Sequence, residues 1–246
     1  HVQANLIPNC VTYDPTYGYE VAVIVQDGLR RMYAENENIF YYLTLMNENY
    51  QHPAMPESKD VAEQIIKGIY KLERIEAQGK AKSNVQLMGS GTILNEVRKA
   101  AQILSKDYNI SSDVYSVTSF NELAREGQDV VRWNMLNPEA KPVTAHIGQV
   151  ITKDAGPAIA ATDYIKGYSD QVRAFIDTDY RCLGTDGFGR SDSRANLRTH
   201  FEVNAAYVVV ASLYELSKRG EIEKSVVTQA IKHFDIDTEK LNPLYA

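Results

Sequence analysis

The chain has 246 residues, with 26 lysines and arginines against 32 aspartates and glutamates, a net charge of −6. With 44% hydrophobic and 24% charged residues it has the composition of a soluble globular protein, and no run approaches the roughly 18 apolar residues of a membrane span. A mildly acidic balance without a basic stripe argues against nucleic acid as the main partner, and two cysteines without metal or CxxC spacing, Cys10 and Cys182, read as reduced thiols of a cytoplasmic protein.

The chain opens on His1-Val2-Gln3 with no Met, signal-peptide or transit pattern, so it reads as the tail of a larger enzyme. Asn9–Tyr13 favours a short strand. Asp14-Pro15 supplies an N-cap and a first-turn proline for a helix whose apolar face is Val21, Ile24, Val25, Gly28, Leu29 and Met32. The aromatic and aliphatic run Ile39–Leu45 predicts a strand covered on both faces. Residues 1–46 are therefore expected to be the end of a parallel α/β domain, and the polar, proline-bearing stretch 47–60 a linker.

From residue 61 a second domain is expected. Gly68–Ile75 alternates as a strand does, and Val85–Met88 is a buried strand ending at Gly89-Ser90-Gly91. A helix follows with Thr92 as N-cap and Ile93, Leu94, Val97, Ala100, Ala101 and Leu104 on one face. Then come a strand over Asp113–Val117, a short helix near Phe120–Leu123 with a loop through Trp133, and a strand over Pro157–Thr162 with Asp163 capping the next helix. A strand over Tyr180–Leu183, a helix over Asn204–Ser217 closed by Gly220, and two short helices finish the chain. This alternation predicts an α/β fold with a mostly parallel sheet flanked by helices.

Two loops carry candidate chemistry. Gly89-Ser90-Gly91 opens a helix, where an anion could bind, but Leu94 breaks the GxGxxG spacing. A tight turn that needs glycine is the favoured reading. Gly184–Arg194 (GTDGFGRSDSR) follows a strand, where α/β folds usually carry function. Its Arg190 and Arg194 either bind phosphate, or pair with Asp186 and Asp192, or dock across a subunit interface, and the second and third are favoured over the first. The histidines His1, His52, His146, His200 and His233 show no metal-binding spacing, and no nucleophile motif is present. Spacing alone names no reaction.

Longer stretches do. IPNCVTYDP (Ile7–Pro15) resembles the segment that follows an active-site histidine in the pyrimidine-binding domain of the transketolase-like thiamine diphosphate enzymes. YYLTLMNENYQHPAMPE, DVYSVTSFNELAREGQDVVRWNMLNP and LGTDGFGRSDSRANLRTHFEVNAAYVVVASL are similar to the homodimeric pyruvate dehydrogenase E1 branch over nearly the whole chain. The resemblance implies that residues 1–46 end a pyrimidine-binding (middle) domain and 61–246 form a transketolase-like C-terminal domain that packs and dimerises. It further implies an enzyme that binds thiamine diphosphate and Mg²⁺, decarboxylates pyruvate and reductively acetylates the lipoyl group of the E2 dihydrolipoyl acetyltransferase. The ligands of cofactor and metal would lie upstream, so these 246 residues alone would be inactive and would bind neither. Two residues match family positions. His1 matches the histidine that stabilises charge on the substrate, although at a chain end it is expected to be loosely held. Asn47 stands where ketose-phosphate transketolases carry a phosphate-binding arginine, which favours an unphosphorylated 2-oxo acid. Another enzyme of the superfamily, or a non-catalytic interaction or regulatory module, are the alternatives.

Overall fold

A computed structural model describes all residues from His1 to Ala246. The first segment holds β1 (Cys10–Tyr13), α1 (Gly18–Leu29) and β2 (Phe40–Leu43). β1 and β2 pair in parallel, with Cys10 opposite Phe40. Helix α1 starts three residues later than Asp14-Pro15 predicts. Glu20, in its first turn, accepts the backbone N–H groups of Thr16 and Tyr17 at 2.5 and 2.9 Å, so the helix start is closed by Glu20, while Asp14 is buried and used elsewhere. β2 is not covered on both faces. Phe40 and Tyr42 are 45% and 43% exposed, and β2 is an edge strand that pairs only with β1.

Residues 44–58 form no helix or strand. The remainder contains α2 (Val61–Lys67), β3 (Ile69–Ile75), β4 (Ser83–Gly89), α3 (Ile93–Tyr108), β5 (Ile110–Val117), α4 (Phe120–Leu136), α5 (His146–Val150), β6 (Ala158–Ala161), α6 (Lys166–Asp170), β7 (Tyr180–Leu183), α7 (Arg194–His200), α8 (Ala205–Lys218) and α9 (Lys224–His233). A five-stranded sheet runs in the order β3-β5-β4-β6-β7. Its pairings are parallel except β3 with β5, which is antiparallel. The expected mostly parallel sheet flanked by helices is what forms.

Side chains alternate across the sheet, as a two-residue period requires. Val85 and Leu87 of β4 join Val114 and Ile159 beneath α3 and α8, while Met88, Ala158 and Ala160 face the opposite layer with Phe120, Leu123 and Tyr168. A third, smaller core unites the first segment with α2 and β3: Val11, Tyr13 and Ile24 pack with Val61, Ile65 and Tyr70.

Three local expectations change. The helix near Phe120 runs on to Leu136 and includes Trp133, with Ser119 capping the Glu122 N–H at 3.0 Å. Gly127 does not end it: a β-carbon there would strike the Phe175 ring, so the glycine permits close packing. Asp163 caps nothing. The α6 amide of Lys166 instead donates to Asp186, at 2.9 Å, from the Gly184–Arg194 loop. At the C-terminus one helix, α9, is followed by a single 3₁₀ turn at Pro243–Tyr245.

Candidate functional site

The Gly89-Ser90-Gly91 turn packs against Asp14 from within the chain. Gly91 has φ +50°, and a β-carbon there would lie 2.8 Å from an oxygen of Asp14. The Gly91 N–H donates to the Asp14 backbone carbonyl at 3.1 Å, and Thr16 Oγ1 donates to the Gly91 carbonyl at 2.7 Å. The glycine is needed so that β1's exit can approach this turn. Thr92 precedes α3 but makes no side-chain cap; its hydroxyl accepts from Arg198 at 3.3 Å.

Asp14 is fully buried, and burial pushes its carboxyl up to about 6 against the opposing effect of its hydrogen bonds. Thr44 Oγ1 donates to Asp14 Oδ1 at 2.6 Å and the Tyr164 hydroxyl donates to the same oxygen at 3.3 Å. Thr44 also meets His1, whose Nε2 lies 2.9 Å from Thr44 Oγ1. His1 is held firmly, contrary to the expectation for a chain end. Its ring stacks on Tyr168 at 5.1 Å and meets Tyr164 and Tyr42 edge-on at 4.9 and 5.3 Å. Asn121 of α4 donates to the His1 carbonyl at 2.9 Å and to Thr12 at 2.7 Å, and is itself fixed by Gln171. His1 therefore sits at a seam between β1, β2, α4, α6 and the loop after β6. Three buried polar atoms of this cluster have no partner: His1 Nδ1, Asp14 Oδ2 and the Tyr168 hydroxyl.

Asn47 lies in a different place, a polar cleft of about 250 Å³ lined by Asn47, Glu48, Asp163, Arg190, Arg194 and Arg198, among others. Arg194 Nη2 donates to Asn47 Oδ1 at 2.6 Å. Glu48 pairs with Arg198, which also reaches Glu96 at 3.4 Å. No hydrogen bond or ring contact joins Asn47 to His1. The sequence expectation for the loop arginines is thus redirected. Arg194 takes Asn47 as its partner, while Asp186 holds Lys166 and Asp192 holds Asn196. A cation stands beside position 47 after all, delivered from the first turn of α7, 147 positions away. Sequence reasoning missed Asp14, Thr44 and Tyr164 altogether. The only local signal was Asp14 at a strand end, and it was read as a helix cap.

These residues sit in chain segments with close relatives. Residues 68–204 match the model of the transketolase-like C-terminal domain, and residues 1–53 match that of the pyruvate dehydrogenase E1 component middle domain. The chain belongs to the transketolase-like family. Within that family it is 61% identical to the pyruvate dehydrogenase E1 component of Escherichia coli over its whole length, and 54% identical to that of Haemophilus influenzae. It spans 27% of the length of these curated relatives. Among solved structures the transketolase-like fold aligns with the transketolase of Pichia stipitis over 89% of this chain and 27% of that one, with a TM-score of 0.59 at 17% identity. The transketolase of Campylobacter jejuni aligns over 87% of this chain and 27% of that one, with a TM-score of 0.55 at 18% identity.

The transketolase-like family implies thiamine diphosphate, and no single site among these residues joins a metal-ligand cluster to a cradle for its diphosphate. No cluster of three or more His, Cys, Asp or Glu side chains is arranged to hold a metal ion. The glycine turn that opens α3 faces Asp14, whose carboxylate would repel a diphosphate.

Proposed function

We propose that this chain is the C-terminal part of a pyruvate dehydrogenase E1 component. The complete enzyme would decarboxylate pyruvate and reductively acetylate the lipoyl group of an E2 dihydrolipoyl acetyltransferase. The observation that carries this reading is the 61% identity to the Escherichia coli enzyme across all of these residues. In the complete enzyme, thiamine diphosphate and Mg²⁺ would supply the carbanion chemistry, held by residues outside this chain. Residues 1–46 would end the pyrimidine-binding domain, 47–60 would link, and 61–246 would form a C-terminal domain whose role is packing and homodimerisation in a cytoplasmic complex. No helix is long and apolar enough to cross a membrane.

His1 is the residue of this chain proposed to meet the substrate. A positioned imidazole can stabilise charge that develops on a bound 2-oxo acid. Its rigid setting between three tyrosine rings supports that role, since a group held in place loses little on reaction. Asn47 is proposed to select against ketose phosphates. Arg194 donates to Asn47 Oδ1, so a guanidinium stands beside this position although the residue itself is uncharged.

The test is an assay of the complete chain, loaded with cofactor and metal, on pyruvate with lipoylated E2 and on a ketose phosphate with an aldose acceptor. Acetyl transfer from pyruvate and no ketol transfer is the expected result. Ketol transfer without pyruvate turnover would overturn the reading.

A further inference from the structure

We propose that Asp14 and Thr44 are positioning residues for His1: together they fix its imidazole with the proton on Nε2 and leave Nδ1 as the free, basic nitrogen. This inference rests on the reading of His1 as a substrate-facing residue and specifies how it must act.

The argument is a count of protons. Thr44 has a single hydroxyl hydrogen, and Asp14 Oδ1, 2.6 Å away, takes it. An ionised carboxylate has no proton to give in return. With its only hydrogen committed, Thr44 Oγ1 can meet His1 Nε2, at 2.9 Å, only as an acceptor. The Nε2 position therefore carries the proton, and a neutral imidazole then has a bare lone pair on Nδ1. That is the nitrogen left buried without any partner in the chain. A buried polar atom without a partner is rare enough to call for a reason, and a bound substrate is the partner that the proposed function supplies. Tyr164 strengthens the order, because its hydroxyl donates to the same Asp14 oxygen at 3.3 Å and keeps that oxygen an acceptor. Burial pushes Asp14 up to about 6, so near pH 8 the carboxylate remains ionised and the chain Asp14–Thr44–His1 keeps its direction.

The consequence is chemical. Neutral His1 has no N–H to offer a developing oxyanion. It acts on the substrate by accepting a proton at Nδ1, or, once protonated there, by donating it back. A hydrogen-bond donor and an acid–base group are different roles, and the Thr44 hydroxyl decides between them.

The experiment is ¹⁵N NMR of the complete, cofactor-loaded enzyme with labelled histidine, His1 being assigned by its loss in His1→Gln. The wild type should show Nε2 protonated and Nδ1 unprotonated at pH 8. Thr44→Val, nearly isosteric but without the hydroxyl, should lose that single-tautomer signature, and Thr44→Ser should restore it. Supporting groups of this kind typically change activity about 10–100-fold, so kcat for pyruvate should fall by that order in Thr44→Val, with a smaller change in KM and recovery in Thr44→Ser. A wild-type His1 protonated on Nδ1, or an unchanged tautomer in Thr44→Val, would overturn the proposal. If Thr44→Val does not fold, the wild-type spectrum decides alone. An Nε2–H tautomer in a protein that does not turn over pyruvate would uphold the positioning chain and refute only the assigned reaction.

Discussion

Asp14 shows how one buried carboxyl ties stability to pH. Its folded value near 6 lies above the ordinary 3.8 because burial disfavours the charged form. Between those values the folded protein keeps a proton that the unfolded chain has released. Stability therefore falls as pH rises from about 4 to about 6, by at most about 3 kcal/mol at 1.36 kcal/mol per pKa unit. Asp14→Asn retains an acceptor for Thr44 but removes the charge, so its urea midpoint should lack this component of the pH slope between 4 and 6. An identical slope in the variant would show that Asp14 is not buried as described. Asn47 offers a second test at this scale. Asn47→Arg would set a guanidinium against that of Arg194, where a 2.6 Å hydrogen bond now lies. In the complete enzyme we expect kcat/KM for pyruvate to fall about tenfold, about 1.4 kcal/mol, with no ketol transfer gained. Unchanged kinetics would place Asn47 outside the substrate pocket.

At the scale of elements, α1 is fastened to the larger sheet by Glu20 and Tyr19, whose hydroxyl lies 2.6 Å from that of Tyr70, and by the packing of Ile24. Glu20 is buried, and burial raises its carboxyl above the usual range even though it accepts from Tyr70 of β3 at 2.5 Å, Ser116 of β5 at 2.6 Å and two amides of its own turn. Glu20→Ala leaves these donors buried without an acceptor, so a loss of about 2–4 kcal/mol is expected by urea denaturation. A loss below about 1 kcal/mol would mean that water replaces the carboxylate there. The connecting stretch is also partly tied down. Tyr50 donates to the Thr16 carbonyl, and His52 accepts from the Gly18 amide at 2.9 Å. Limited proteolysis should therefore cut within residues 53–59 before 47–52, and first cleavage inside β4 or β5 would contradict this. The sequence was informative where a signal is local. The β4–turn–α3 unit is legible because an apolar run, a glycine pair and a helical apolar face occur in succession. The same local logic failed at α4, where a short helix near Phe120–Leu123 was expected but the helix runs on to Leu136, with Phe175, distant in sequence, packed beside Gly127. It failed again at Asp14-Pro15, where a helix-capping pattern preceded a helix that begins later on Glu20.

For the whole molecule, the two candidate site residues differ in how they could be found. His1 and Asn47 stood out only through family resemblance, because no spacing marks either of them. The network around them is assembled by the fold: Tyr164, Tyr168, Asn121 and Gln171 come to His1 from positions more than 100 residues away, and Arg194 comes to Asn47 from α7. Contacts at such separations leave no periodic trace in a single sequence. They also explain why the site needs both segments of the chain, since the histidine is carried by one and enclosed by rings from the other. The most direct measurement is steady-state turnover of pyruvate by the complete, cofactor-loaded enzyme carrying His1→Ala. Loss of a positioned acid–base group costs about 10²–10⁴ in rate, so kcat should fall by that order while the thermal midpoint shifts by no more than a few degrees. Turnover close to that of the unaltered enzyme would remove His1 from the reaction and with it the site described here.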